Sequence, residues 1–336
     1  MRTLFSKCLV APALFASTLA SAEVKLPFTL DWKFEGPSAP YFLAVDNGHF
    51  ADQDLSVEIS AGQGSLDAIP KVATGAYPVG FADINSLVKF LDQNPGAPVT
   101  AVMMIYDKPP FAVVGRKSQG ISTVADLEGS VLGAPPPDGA WAQFPVFAKE
   151  NGLDMSKIKV EPVGFPTREP MLAEGKVDSV TGFSFSSYLN LVRLGVPEED
   201  LTTLLMADYG LALYGNAIIV NTDYAEKNPE VITGFLTAVA EGVKDAAADP
   251  MAGAQAVIDR NPAGNVELEA WRLKLALQDS ILTDYVMANG LGDIDVERFE
   301  KALEQIAVTY EFKGEPSVST IFTDAYLPAS ELLMMK

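Results

Sequence analysis

The sequence predicts an α/β protein built as two lobes with a ligand cleft between them. Three observations carry that reading. Strand-like and helix-like segments alternate from Val24 to Ile105. The alternation restarts at Phe111. A local unit recurs, once as "VATGAYPVGFADINSL" (72–87) and again as "LAEGKVDSVTGFSFSSYL" (172–189). Each copy reads as a helix end, a Gly cap, a short strand, and a Phe with small polar residues opening the next helix. Strand–helix alternation points to largely parallel sheets flanked by helices. Ligands of such sheets bind at the carboxyl ends of the strands, so two facing lobes make a cleft.

The elements follow in order. Val24–Asp31 reads as a strand, and Tyr41–Asn47 as a helix stopped by Gly48. Leu55–Ile59 is a strand, Ser65–Thr74 a helix ended by Gly75, Val79–Phe81 a strand, Ile84–Leu91 a helix, and Val99–Ile105 a strand. In the second lobe the strands are Phe111–Val114, Val131–Ala134, Val160–Pro162 and Val177–Thr181. Its helices are Thr123–Leu127, Trp141–Glu150, Glu169–Ala173 and Tyr188–Leu194. Ala217–Asn221 returns as a strand, and the chain from Pro229 to about Tyr310 has helical spacing. The expected division is a signal peptide over 1–22, one lobe from 23–112 and 213–336, and a second from 113–212.

The 336 residues suffice for two cores. Arg2 and Lys7, an apolar stretch from Leu9 to Leu19, and Ala20-Ser21-Ala22 fit a cleaved secretory signal. Export to the periplasm is therefore expected. Cys8 is the single cysteine and falls in that segment, so the mature chain has no thiol chemistry and no disulfide. The formal net charge is −20, and −22 once the two basic signal residues are removed. That argues against nucleic acid and anionic membrane surfaces as partners. His49 is the single histidine, at a surface-like helix end, and no cluster has metal-ligand spacing. Most hydrolase and transferase mechanisms lack parts here. Carboxylate-pair chemistry is not excluded by composition, since acidic residues are plentiful. No cofactor or metal is expected.

Several small-residue loops fall where a ligand would lie. In "AGQGSLDA", Gly64 permits close backbone approach and Ser65 reads as a helix cap or a ligand contact. Asp83 reads as the cap of the helix that follows, with a ligand contact compatible with that role. In "APPPDGAWAQF", prolines stiffen the approach to Asp138, and Trp141 is either a cleft wall or a core anchor. In "TGFSFSSYL", Phe183, Ser184 and Tyr188 are candidate contacts, with one of Phe183 and Phe185 buried. Trp32 and Tyr41 flank the first strand end, Phe111 follows Pro109-Pro110, and Asp208 and Tyr209 stand near the return between lobes. Arg168 in "FPTREP" reads as a bidentate ligand contact or as a partner of the neighbouring Glu.

Together, "APYFLAVDNGHFADQDLSVEI", "GQGSLDAIPKVATGAYPVGFAD", "ISTVADLEGSVLGAP" and "YGNAIIVNTDYAEKNPEVITGFLTAVAEG" resemble one family. It is the periplasmic solute-binding proteins for nitrate, sulfonates, taurine and thiamine-pyrimidine precursors. The resemblance spans about 24–250. It implies a type II, venus-flytrap periplasmic-binding-protein fold that delivers a solute to an ABC permease, with crossings between lobes near 109–116 and 209–217. "DWKFEGPSAPYF" resembles the pyrimidine-precursor branch more than the sulfonate branch. The pyrimidine-making enzymes of that fold use a cysteine-rich iron segment that this chain lacks, so no enzymatic activity is expected. The reading is a small-molecule binding protein, acting as a monomer. Its ligand is expected to be a pyrimidine-like or other heterocycle. A sulfonate, a taurine-like solute or another small anion is the alternative.

Overall fold

The computed structural model describes residues 23–335; the expected signal peptide lies outside the described residues. Among them, ten strands form two five-stranded sheets. The first contains β1 (Val24–Thr29), β2 (Leu55–Ser60), β3 (Val79–Asp83), β4 (Val99–Met104) and β10 (Asn216–Asn221), in the order β2-β1-β3-β10-β4. The second contains β5 (Phe111–Arg116), β6 (Val131–Ala134), β7 (Lys159–Pro162), β8 (Ser179–Phe183) and β9 (Leu201–Leu205), in the order β7-β6-β8-β5-β9.

The expectation of largely parallel sheets needs one correction. β10 runs antiparallel to β3 and β4, and β5 runs antiparallel to β8 and β9. The topology supplies the reason. β4 and β9 leave their sheets at the carboxyl ends, and the chain enters the opposite sheet from that same side. An entering strand must then run against its neighbours. The crossings are the short segments 105–110 and 206–215 between those strands.

Period-2 alternation gives each sheet two buried faces. In the first sheet, Phe81 and Ile218 face one core, and Ala82 and Ile219 the other. In the second, Phe111 and Val113 face one core, Ala112 and Val114 the other. The helices follow the sequence pattern with small shifts: α1 (Ala39–Asp46), α2 (Ser65–Ala73), α3 (Ile84–Gln93), α4 (Gly139–Glu150), α5 (Arg168–Ala173) and α6 (Ser184–Arg193). The C-terminal run is α7 (Thr222–Lys227), α8 (Pro229–Ala248), α9 (Pro250–Arg260), α10 (Val266–Ala276), α11 (Asp284–Asn289) and α12 (Val296–Ala307). α8 presses on α1 so closely that a Cβ on Gly242 would stand 2.1 Å from the Pro40 carbonyl oxygen.

α12 braces both crossings. Ala302 and Ile306 enter a core of the second sheet. Gln305 accepts from the Ala212 N–H at 2.8 Å and donates to the Gly210 carbonyl at 2.7 Å. Arg298 donates to Asp107 Oδ1 at 2.9 Å and to the Leu213 carbonyl at 2.9 Å, tying one crossing to the other.

Candidate functional site

The carboxyl ends of the two sheets face each other across a slot. It holds two small adjoining cavities, about 30 Å³ each, that share Asp31, Trp32, Phe183 and Ser186. Gly64, Ser65, Asp138, Gly139, Phe165 and Arg168 complete the outer one. Tyr41, Phe81, Tyr106 and Phe185 line the deeper one.

The walls are aromatic. Trp32 of the first lobe meets Phe165 of the second edge to face, with centroids 4.5 Å apart. Tyr106 faces Phe185 at 6.0 Å, and Phe183 rests on Phe111 at 5.8 Å. Such walls suit a flat, apolar-faced molecule.

The floor on the first lobe is polar and buried. Asp31 stands just past the end of β1 and is 6% exposed. Its Oδ2 accepts from Asn216 Nδ2 at 2.6 Å and from Ser65 Oγ at 3.3 Å. Burial, with Asp83 nearby adding to the effect, pushes the Asp31 carboxyl up to about 7. Ser65 Oγ also accepts from the Asp83 N–H at 3.0 Å. Ser65 is the first residue of α2 rather than its cap; Gly64 holds the cap position, with φ at +107°. Asp83 caps α3, as its position before that helix suggests. Its carboxylate accepts from the N–H groups of Asn85 and Ser86 at 3.1 and 2.9 Å. It is fully buried, and burial raises its pKa above the usual carboxylate value.

On the second lobe, Asp138 caps α4 and accepts from Thr181 Oγ1 at 3.1 Å; burial raises its pKa. Arg168 is 3% exposed and gives Nε and Nη2 to Glu169 Oε1 at 2.9 and 2.6 Å. Its Nη1 stands 3.8 Å from Asp138 Oδ2. Arg168 lines the slot, and the neighbouring Glu holds it, as the ion-pair reading has it.

Several candidates lie away from the slot. Trp141 stacks on Phe144 at 5.7 Å on the core side of α4, which fits the core-anchor alternative. Tyr188 donates to Glu198 at 2.8 Å and meets Trp271 edge-on. Ser184 and Tyr188 are four apart on α6, so they share a face. Neither lines the two slot cavities, whereas Phe185 and Ser186 do. Asp208 pairs with Lys108 at 2.7 Å, and Tyr209 packs on Phe147; both stand by the outer end of a crossing. Phe111 is completely buried and supports Phe183 from behind. Asp31, Glu35, Tyr106, Phe165 and Ser186 were not anticipated. Asp31 carries the same signal as Asp83, a carboxylate closing a strand of this sheet.

Direct contacts bridge the slot. Ser186 Oγ donates to Glu35 Oε2 at 2.8 Å, and Arg272 Nη2 donates to Asn190 Oδ1 at 3.0 Å. Lys89 donates to the Ala142 carbonyl at 3.0 Å. The lobes are in the closed arrangement.

Two α/β lobes closed over such a slot define a periplasmic-binding-protein fold. The aliphatic sulphonate-binding protein SsuA of Escherichia coli shares it, with a TM-score of 0.71 at 15% identity over 90% of this chain and 98% of that one. The chain belongs to the family described as NMT1/THI5 like, whose profile matches residues 36–252. Similar proteins include the riboflavin-binding protein RibY of Chloroflexus aurantiacus, 25% identical over 86% of this chain and 82% of its own length. The 4-amino-5-hydroxymethyl-2-methylpyrimidine phosphate synthase THI13 of Saccharomyces cerevisiae is 26% identical over 73% of each chain.

Proposed function

We propose that this chain is the solute-binding component of an ABC importer and captures a flat heterocycle between its lobes. The observation that carries the reading is the slot itself, with aromatic walls and a cation already compensated. A small anion would meet Asp31, Asp138 and Glu35 around one guanidinium that Glu169 holds and an exposed Lys33. A ring would meet Trp32, Phe165 and Phe183. Two relatives fit the same ligand class by name, one riboflavin-binding and one making a pyrimidine phosphate.

Binding moves the lobes only through the ligand's differential affinity for the closed state. The closed form then presents both lobes to a permease. The reading includes export from a cleaved signal, a monomeric state and no turnover. The synthase relative makes catalysis the rival. Against it, the sole histidine, His49, bonds Asp245 on the far side of the first lobe, and no cysteine follows Cys8.

The test is thermal unfolding and calorimetry with riboflavin, 4-amino-5-hydroxymethyl-2-methylpyrimidine, taurine and nitrate. Stabilisation by a heterocycle without its consumption is expected. Stabilisation by taurine or nitrate alone would overturn the ligand class, and conversion of a pyrimidine would overturn the binding-protein role.

A further inference from the structure

Asp31 is a charged-type side chain that the slot surrounds but does not use up. Its Oδ2 holds Asn216 and Ser65, whereas no other side chain among the described residues bonds its Oδ1. The residue is 6% exposed and lines both cavities. An ionised carboxylate so buried is costly, and a partner in the slot would offset that cost.

We propose that Asp31 selects the ligand: its Oδ1 receives a basic nitrogen of the bound heterocycle, with one proton held between oxygen and nitrogen. This rests on the heterocycle reading of the slot. The surrounding charges favour it. Asp83 of β3 stands beneath Asp31, and Glu35 follows on the same strand exit. Asp138 and Arg168 face it from the second lobe, and Arg168 is turned to Glu169. Lys33 lies over the Trp32 ring, 5.2 Å from its centre, and Tyr41 and Tyr106 are neutral neighbours. Among these groups Lys33 is the cation without a carboxylate partner, and it is exposed, held over the Trp32 ring rather than bonded to Asp31. The high Asp31 pKa, about 7, lets the pair share a proton near neutral pH.

The proton balance fixes the pH dependence. Above about pH 7 Asp31 is ionised and the ring nitrogen is neutral, so binding takes up one proton. Affinity then falls roughly tenfold per pH unit. Below the ring's own pKa both partners are protonated, one proton must leave, and affinity falls again.

The experiment is calorimetric titration at pH 6, 7 and 8 in two buffers of different ionisation enthalpy. The probes are 4-amino-5-hydroxymethyl-2-methylpyrimidine and the benzene analogue without ring nitrogens, 2-amino-4-methylbenzyl alcohol. The expected result is uptake of close to one proton per pyrimidine at pH 8, with Kd about fivefold higher than at pH 7. The benzene should bind more weakly and take up none. Asp31→Asn should abolish both the uptake and the pH slope; if that variant does not fold, the proton count of the wild type decides. Equal binding of both rings without proton uptake would overturn the role of Asp31 and leave the aromatic slot standing. Binding of neither ring, nor of riboflavin, would overturn both.

Discussion

Gly64→Ala separates the cost of backbone strain from the cost of closing the slot. Gly64 has φ of +107°, a region that an L-residue occupies only under strain, at about 1–3 kcal/mol. That cost is common to the open and closed states. The new Cβ would also stand 3.0 Å from the Pro137 carbonyl oxygen of the opposite lobe. This second cost, about 1–3 kcal/mol for an overpacked contact, exists only when the lobes meet. The two costs have different readouts. Strain should lower the Tm of the ligand-free protein by about 2–12 °C, at 2–4 °C per kcal/mol. The clash should raise the Kd of a heterocyclic ligand about 5- to 150-fold. Differential scanning calorimetry and isothermal titration measure them separately. A lowered Tm with Kd within twofold of wild type would refute the reasoning, because Pro137 would then not approach Gly64 in the bound state.

Three further outcomes follow from the same geometry. Trp32→Ala and Phe183→Ala each remove a stacking face worth about 1–3 kcal/mol, so each should weaken a heterocycle about 5- to 150-fold by titration while Trp141→Ala leaves Kd unchanged. Asp83→Ala uncaps α3 and strands the buried donors of Asn85 and Ser86, so chemical denaturation should show a loss of about 2–4 kcal/mol, with Asp83→Asn milder. Asp31 has a folded-state pKa of about 7, above its unfolded value of 3.8, so its contribution is complete below about pH 4 and lost as pH rises through 7. That loss is about 4 kcal/mol, so Asp31→Asn should gain stability relative to wild type between pH 4 and 8, and an unchanged difference would contradict the buried carboxyl.

Much of the architecture was legible because period-2 and helical patterns are local. The β6 segment Val131–Ala134 matches the sequence reading residue for residue. β9 was not read, since "LTTLL" is short and follows the acidic turn Glu198–Asp200. Strand direction could not be read either: nothing in Phe111–Arg116 says that it enters its sheet from the slot side. The slot shows the same division. Trp32, Gly64, Ser65 and Phe183 were visible because small or aromatic residues at strand ends have few other uses. Asp31 and Phe165 were not, because one reads as a strand terminus and the other as loop filler until the lobes are brought together. Tyr188 misled for a related reason, since proximity in sequence to Phe183 does not survive half a helical turn.

Closure of the lobes is best tested by single-molecule energy transfer. Cysteines placed by Glu58→Cys on β2 and Lys159→Cys on β7 are exposed and stand in opposite lobes, and Cys8, the one native thiol, is replaced by Ser. A saturating heterocycle should move the population from a longer, broad distance to one shorter, narrow distance, and taurine should leave it in place. Heat of binding with no change in that distance would contradict a slot that shuts on its solute.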